Sequence, residues 1–158
     1  MPDWVDKAYN LKNMTTTDKI LDILESMTTG SDAMLRTVIH GSSFDANVRL
    51  DRKPTPAAIL YMAKGFEIEY ESGMRYDKTD IEVFFCDRVE LGAKGEVVQG
   101  VLDSVEPAID EFLSLVFAEK SWRVEGKVAA TTAIGKFDCN VAGYSVQMTL
   151  VDRQGRCL

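Results

Sequence analysis

Two stretches of the chain carry apolar residues at helical spacing, and the first lies near the N-terminus. Its apolar stripe runs from Ile20 to Met27. Thr16 and Thr17 are both suited to cap a helix, and Asp18 stands in the first turn, where a negative charge favours the helix dipole. Gly30 follows as a stop signal. The spacing therefore predicts a helix of about three turns.

The second helical stretch is the longest in the chain and runs from Val97 to Phe117. Its apolar residues fit one broad helix face. Pro107 lies inside this pattern, where a proline removes a backbone hydrogen bond and clashes with the preceding turn. We therefore expect either a kinked helix or two short helices that meet near Glu106. A loop is expected at 92–95, just before this stretch.

Between the two helices the apolar positions follow strand patterns. Leu35 to Ile39 predicts a first strand, which ends at the polar residues that follow. Asp45 to Thr55 is a polar stretch, and Pro54 and Pro56 limit regular structure there. Ala57 to Met62 is continuously apolar, which is typical of a strand buried on both faces.

Two further runs in this region alternate between apolar and polar residues. In the first, apolar residues alternate with Glu67, Glu69 and Glu71, which predicts a half-buried strand with an acidic outer face. Asp80 to Asp87 alternates again and predicts the next strand. Phe84 makes the second face of that strand partly apolar, so we expect a helix or a partner to cover it.

Beyond the long helix, Trp122, Val124 and Val128 indicate a strand, Ala133 to Lys136 a turn, and Tyr144 to Leu150 a clearly alternating strand. The order of elements predicts the α+β class. We expect an antiparallel or mixed sheet with a short N-terminal helix and a long helix, kinked or divided by its proline, packed on one face.

Length and charge narrow the possible functions. The chain has 158 residues, of which 46% are hydrophobic, so residues 1–158 are expected to form a single α+β domain, with 1–16 as an extended N-terminal arm. The net charge is -7, from 25 acidic and 18 basic residues. Binding of nucleic acid through its phosphates requires a basic face, so we expect no direct sequence-specific nucleic-acid binding.

The sequence also bears on location. No apolar run approaches the roughly 18 residues that span a bilayer, and the first ten residues lack a hydrophobic signal core. We therefore expect no membrane association and a cytoplasmic protein, or a virion protein if a phage encodes it. Cys86, Cys139 and Cys157 are an odd number at unrelated spacings, which indicates reduced thiols. Phe85 beside Cys86 favours burial of that thiol.

Catalytic chemistry has one candidate, the single histidine. His40 precedes Ser42 and Ser43, so it could serve as a general base for either hydroxyl or for a distant cysteine. However, the sequence holds no nucleophile elbow and no recognisable Ser-His-Asp order. We interpret His40 as a surface or hydrogen-bonded turn residue and expect no catalytic residue and no enzymatic activity.

Metal and cofactor sites are equally unsupported by the sequence. The cysteines and the histidine match no zinc spacing, and no calcium loop is present. Glu67, Glu69 and Glu71 could hold a hard cation, but a solvated edge strand kept soluble by like charges is the preferred interpretation. Gly92 and Gly95 precede the long helix without the Lys and Ser/Thr of a nucleotide-binding loop. We expect neither metal nor cofactor.

The layout of the chain resembles the small tail-terminator, tail-completion and head–tail joining proteins of tailed phages and prophages. The resemblance covers residues 17–158 in outline, and neither the first 16 residues nor Pro107 has a counterpart in it. The closing part is also similar to phage-like proteins of Bacteroides-type gut bacteria. The features that carry the resemblance are Pro56 to Met62 with Gly65, Ile81 to Phe85, Val97 to Phe117, Asp138 to Tyr144 and Asp152 to Cys157.

This resemblance implies a non-enzymatic structural subunit of a phage-like tail or head–tail connector. Such subunits form rings, often hexameric, through contacts between sheet edges and helices, and their partners are further copies and other phage structural proteins. An acidic lumen would let DNA slide through. The alternative is a small α+β module, ligand- or protein-binding or regulatory, with one concave pocket. A third possibility is an enzyme in which His40, a cysteine and a carboxylate converge.

Overall fold

The computed structural model describes residues 15–63, 66–137, 140–152 and 156–157. Within these ranges the fold is α+β, as predicted, with three helices and one seven-stranded sheet. The elements in chain order are α1 (Thr16–Ser26), β1 (Thr37–Gly41), α2 (Ser43–Leu50), β2 (Ala57–Tyr61), β3 (Phe66–Glu71), β4 (Met74–Arg88), α3 (Gly95–Ala118), β5 (Trp122–Lys136), β6 (Val141–Asp152) and β7 (Arg156–Cys157).

The sheet is mixed, with the main strand order β1-β2-β4-β6-β5. β1 and β2 are parallel, and the other pairs are antiparallel. Lys78 of β4 pairs with Glu67 of β3 and with Val151 of β6, so β3 and β6 flank β4 on opposite sides. One side of the sheet therefore ends in β1 and β3, and the other side ends in β5 and, at the start of β4, in the short β7.

The main core lies between the sheet and two helices. Ile20 of α1 and Phe112 of α3 are fully buried in one cluster with Phe85 of β4, and the two phenylalanine rings are 5.2 Å apart. The buried indole of Trp122 donates a hydrogen bond of 2.9 Å to the carbonyl oxygen of Val116. Each large apolar side chain buried here contributes about 2–3 kcal/mol. The predicted packing of both helices on one face is confirmed.

The opposite face is covered at one end by α2, which the sequence prediction missed. The region from Asp45 to Thr55 was expected to lack regular structure, yet its first half is helical. The reason is a capping box, in which the Ser42 hydroxyl and the Asp45 carboxylate each accept a backbone N–H of the other residue. Leu50 then packs against Phe84 in a second apolar cluster. The expectation that a helix covers Phe84 is confirmed.

Arg88 of β4 holds the chain at the end of α2. One terminal nitrogen of its guanidinium donates to the carbonyl oxygens of Leu50, Asp51 and Lys53 at 3.0, 3.3 and 3.0 Å. The last carbonyls of a helix have no partner within the helix, and a cation favours the negative end of the helix dipole. Arg88 therefore fixes the turn that leads from α2 to β2.

One helix prediction needs correction, since Thr15 rather than Thr16 or Thr17 caps α1, where its hydroxyl accepts the N–H of Asp18. Of the two alternatives for the long helix, division at Pro107 is wrong and the single long helix is confirmed, since α3 is continuous from Gly95 to Ala118. Pro107 lies on the exposed side of this helix, where water can satisfy the carbonyl that the missing N–H leaves free.

Strand β5 is also longer than the sequence predicts. The turn expected at 133–136 is wrong, because the strand continues to Lys136. Gly126 and Gly135 have φ of 67° and 65°, and the register against β6 shifts between Glu125 and Ala129 and again between Ala133 and Lys136. The glycines thus accommodate two irregularities within one strand rather than ending it.

The β3–β4 hairpin differs from its prediction in burial and in length. β3 is a strand, but it is not half-buried, because Ile68 and Tyr70 are 39% and 59% exposed. β4 begins at Met74 rather than at Asp80 and pairs with β3 over its first six residues. The hairpin therefore extends beyond the part of the sheet that the helices cover.

The predicted N-terminal arm lies almost entirely outside the described residues. Only its last two residues are described, and Thr16 already belongs to α1. The C-terminal segment contributes β7, whose Cys157 pairs with Met74. Among the helices of the described ranges, none has the length and apolar content needed to cross a bilayer.

Candidate functional site

His40 and Ser42 lie close in sequence, but the side chain of Ser42 caps helix α2. His40 is exposed at the end of β1, and its carbonyl oxygen accepts a 3.4 Å hydrogen bond from Arg49. The Ser42 hydroxyl donates to an Asp45 carboxylate oxygen at 2.8 Å. Hydrogen bonds from the side chain and backbone of Ser42 lower the pKa of Asp45. The hydroxyl proton of Ser42 therefore points to a carboxylate within the helix cap. The side chain of Ser43 lies outside the described residues.

The buried thiol that the sequence predicts is confirmed. Cys86 is 0% exposed and lies with Phe84 in the apolar cluster beneath α2. This burial shields the sulfur from solvent and separates it from the exposed His40. Cys139 and the side chain of Cys157 lie outside the described residues. The geometry therefore brings none of the described candidate nucleophiles into a shared cleft with the histidine.

The three glutamates of β3 do not form a shared cation site. Glu69 instead lies 3.6 Å from the Lys78 amine and 3.9 Å from the Arg123 guanidinium. Lys78 also contacts Glu125 at 3.0 Å, which raises the pKa of Lys78, mainly through this hydrogen bond. The network ties β3, β4 and β5 together across β6. Over the described ranges, no group of three carboxylate, thiol or imidazole side chains is placed to hold a metal ion.

A polar cleft of about 420 Å³ lies on the sheet face that α2 leaves uncovered. Two acidic side chains of β4 extend from this face, and each accepts a hydrogen bond from a hydroxyl group of β6. Thr149 donates to Asp80 at 2.7 Å, and Ser145 donates to Glu82 at 2.8 Å. Lys127 lies at the rim of the cleft. Met62, Ile81 and Met148 complete the lining, so the cleft combines apolar side chains with two carboxylates that cross-strand hydrogen bonds hold in position.

The free edge of β5 is the most distinctive surface feature of the described chain. Within the described residues, β5 pairs with β6 alone, so one row of its backbone N–H and C=O groups faces outward. From Val128 to Ile134 the strand carries no charged residue, and Ile134 is 58% exposed. Natural edge strands are usually short, charged, bulged or covered, because an exposed edge pairs with other chains. The segment from Val128 to Ile134 therefore has no charge to protect it, and a register irregularity adjoins it at each end.

The opposite side of the sheet presents a different edge. β3 pairs with β4 alone among the described strands and carries three glutamates in six residues. Its other face exposes Ile68 and Tyr70. The molecule therefore offers one neutral and one acidic edge, on opposite sides of one sheet.

Sequence reasoning missed the β5 edge because the segment was divided between a strand and a turn. A signal was present, since Val128 to Ile134 is an uncharged run bounded by Gly126 and Gly135. No protein-family model matches this chain, and no curated protein matches it either.

Proposed function

We propose that this protein is a non-enzymatic structural subunit that assembles with copies of itself, as in the tail or head–tail connector of a phage-like particle. The observation that carries the proposal is the exposed edge of β5. A neutral strand of this length is exposed to unwanted pairing in a monomer, whereas it is protected in an assembly whose subunits pair edge to edge.

The shape of the sheet favours a ring over a simple pair. Its two free sides differ in sequence and charge, so a contact between unlike sides repeats from copy to copy. Such head-to-tail contacts produce rings when the rotation closes. The uncovered acidic face with Asp80 and Glu82 would then form a continuous surface around the assembly. A surface of this charge repels phosphate, which suits a passage for DNA.

The partners implied are further copies of the chain and other structural proteins of the particle. The protein would reside in the cytoplasm until assembly, or in the virion if a phage encodes it. No sequence-specific contact with nucleic acid is required, because the acidic face would guide DNA through repulsion rather than through binding.

The absolute mass in solution tests this proposal. Light scattering over a wide concentration range and at two salt levels is expected to give a constant mass that is a multiple of 17.6 kDa. Negative-stain electron microscopy of the same sample should show closed rings. A mass of 17.6 kDa at every concentration contradicts the proposal.

The polar cleft supports a second candidate function. Its volume of about 420 Å³ suits a small polar ligand, and its Asp80, Glu82 and Lys127 are polar groups of the kind that orient one. A small binding module of this type would be a monomer or dimer. A strict monomer whose cleft residues shift in NMR spectra on addition of a cationic metabolite would establish this function instead.

A further inference from the structure

The β5 edge has the dimensions of a docking site for one short strand. Val128 to Ile134 spans seven residues, which corresponds to about 24 Å of extended chain. Positive-φ glycines at 126 and 135 bound this segment at both ends. The register of β5 against β6 is regular from Ala129 to Ala133, so an incoming strand can pair with regular backbone over these five residues and meets an irregularity at either end.

Charge indicates which strand would fit this edge. The chain as a whole carries a net charge of -7, yet β5 contains three cations against one glutamate. Lys127 is exposed at one end of the neutral segment, and Lys136 ends the strand at the other. A complementary strand would be acidic, uncommitted along one edge and about six residues long.

The chain itself supplies a strand with these properties. β3 is six residues long, contains Glu67, Glu69 and Glu71, and pairs only with β4 among the described strands. Glu67 and Glu71 are exposed. Because β4 and β6 lie between β3 and β5, the outer edges of these two strands do not pair within one copy, although Glu69 of β3 reaches to 3.9 Å from Arg123 of β5 across the sheet face. The two edges can meet between copies.

We infer that the free edge of β3 in one copy adds to the Val128–Ile134 edge of β5 in the next copy. This inference rests on the proposed self-assembly and identifies its interface. The contact is head-to-tail, so each copy supplies its acidic edge to one neighbour and its neutral edge to the other. Backbone hydrogen bonds provide the pairing, and the attraction between the glutamates and the exposed Lys127 sets the partner.

Disulfide trapping tests the pairing of the two edges. In a background in which Cys139 and Cys157 are replaced by Ser, one sample carries Thr131→Cys, and a second carries Glu67→Cys or Glu71→Cys. Mixing them under mild oxidation should give a mixed disulfide at least about tenfold above that of Thr131→Cys mixed with Glu111→Cys, an exposed position on α3. A higher yield with His40→Cys, on β1, would overturn the assignment to β3.

The same samples separate a head-to-tail contact from a symmetric one. Thr131→Cys alone should form few disulfide dimers, because β5 does not face β5 in the inferred contact. A variant with Thr131→Cys and Glu67→Cys together should give a ladder of covalent oligomers on non-reducing gels. Efficient dimers from Thr131→Cys alone, without a ladder from the double variant, would establish a symmetric β5–β5 contact and overturn the inference.

A charge exchange at an exposed position provides a matched control. Thr131→Glu places a negative charge opposite the glutamates of β3 and should weaken assembly at least about tenfold, whereas Thr131→Lys should preserve it. Adding Glu67→Lys and Glu71→Lys to Thr131→Glu should restore the oligomer. Equal behaviour of the Glu and Lys variants would overturn the charge assignment.

The outcomes distinguish this inference from the function on which it rests. If the wild type forms rings but Thr131→Glu leaves them intact and no β5–β3 disulfide appears, the interface assignment is wrong and the assembly function stands. If the wild type is a monomer at every concentration and no pair of cysteines crosslinks above the Glu111 control, both are wrong.

Discussion

At the scale of single residues, Gly143 is the most constrained position in the described sheet. It pairs with Cys86 in β4, and a Cβ added at Gly143 would collide with the carbonyl oxygen of Phe85. That oxygen belongs to the backbone of the central strand, so it cannot move aside without disturbing the sheet. The close approach of two strands here requires glycine for space rather than for an unusual φ.

We therefore expect Gly143→Ala to destabilise the protein by about 3 kcal/mol or more, because the added methyl group forces two paired strands apart. Urea unfolding followed by circular dichroism measures the loss. Gly100→Ala is the matched control, since a Cβ at that helical position meets nothing within 4 Å. That change should stabilise α3 by up to about 1 kcal/mol. Equal midpoints for the two variants would contradict this account.

Residue roles were predictable where local context decides them. The burial of Cys86 follows from its apolar neighbours and is confirmed. The role of Ser42 was not predictable in the same way, because a serine beside a histidine suits both a nucleophile and a helix cap. Asp45 three residues later is the signal for the cap, and the two side chains do form that motif.

At the scale of elements, the capping box of α2 gives this short helix a dependence on pH. Hydrogen bonds from Ser42 lower the pKa of Asp45 below its ordinary value of 3.8. A lowered pKa in the folded state means that the carboxylate stabilises the fold at pH values above 3.8. This contribution is lost as the pH falls through the lowered pKa, because the protonated acid no longer accepts both hydrogen bonds.

The expected result is a difference in stability between wild type and Asp45→Asn that persists near neutral pH and shrinks as the pH falls below 3.8. Urea unfolding of both proteins over a series of pH values measures it. Ser42→Ala removes the donor hydroxyl and should reduce the pH dependence in the same range. A difference between wild type and Asp45→Asn that does not change with pH would contradict the role of the carboxylate.

The periodicity of apolar residues predicted the helices and strands with a strong hydrophobic pattern. It missed those whose structure depends on contacts with other parts of the chain. α1, α3, β2 and β6 were recovered because their apolar positions repeat clearly. α2 is only eight residues long and lies near Pro54 and Pro56, so its helical pattern was too short to be recognised. The end of β5 contains Ala133 and Gly135, which do not favour a strand on their own, and pairing with β6 holds it extended.

At the scale of the whole molecule, the sequence predicted the class of the fold but not its free edges. The strand order determines which strands lie at the edges of the sheet. Local patterns of apolar and polar residues do not determine that order. Charge illustrates the same limit, since the total of -7 does not reveal that the acidic β3 and the more basic β5 lie on opposite sides of the sheet. The candidate interface could therefore be recognised only once the strand order of the sheet was known.

In a ring built from head-to-tail contacts, every copy is needed for closure, so mixing variant and wild-type chains should disrupt rings more strongly than dimers. One copy that carries Thr131→Glu blocks one contact and so prevents closure of any ring that contains it. Suppose that a quarter of randomly mixed copies carry the variant. The probability that every copy in an assembly is wild type is then about 18% for a ring of six copies but about 56% for a dimer. Co-refolding tagged variant and wild-type chains at several ratios, followed by native mass spectrometry, measures the intact fraction. The intact fraction equals the fraction of wild-type chains raised to the number of copies per ring. The steepness with which the intact fraction falls as more variant is added therefore gives that number. An intact fraction that stays constant as the blocked fraction rises would mean that closure does not depend on the β5 edge.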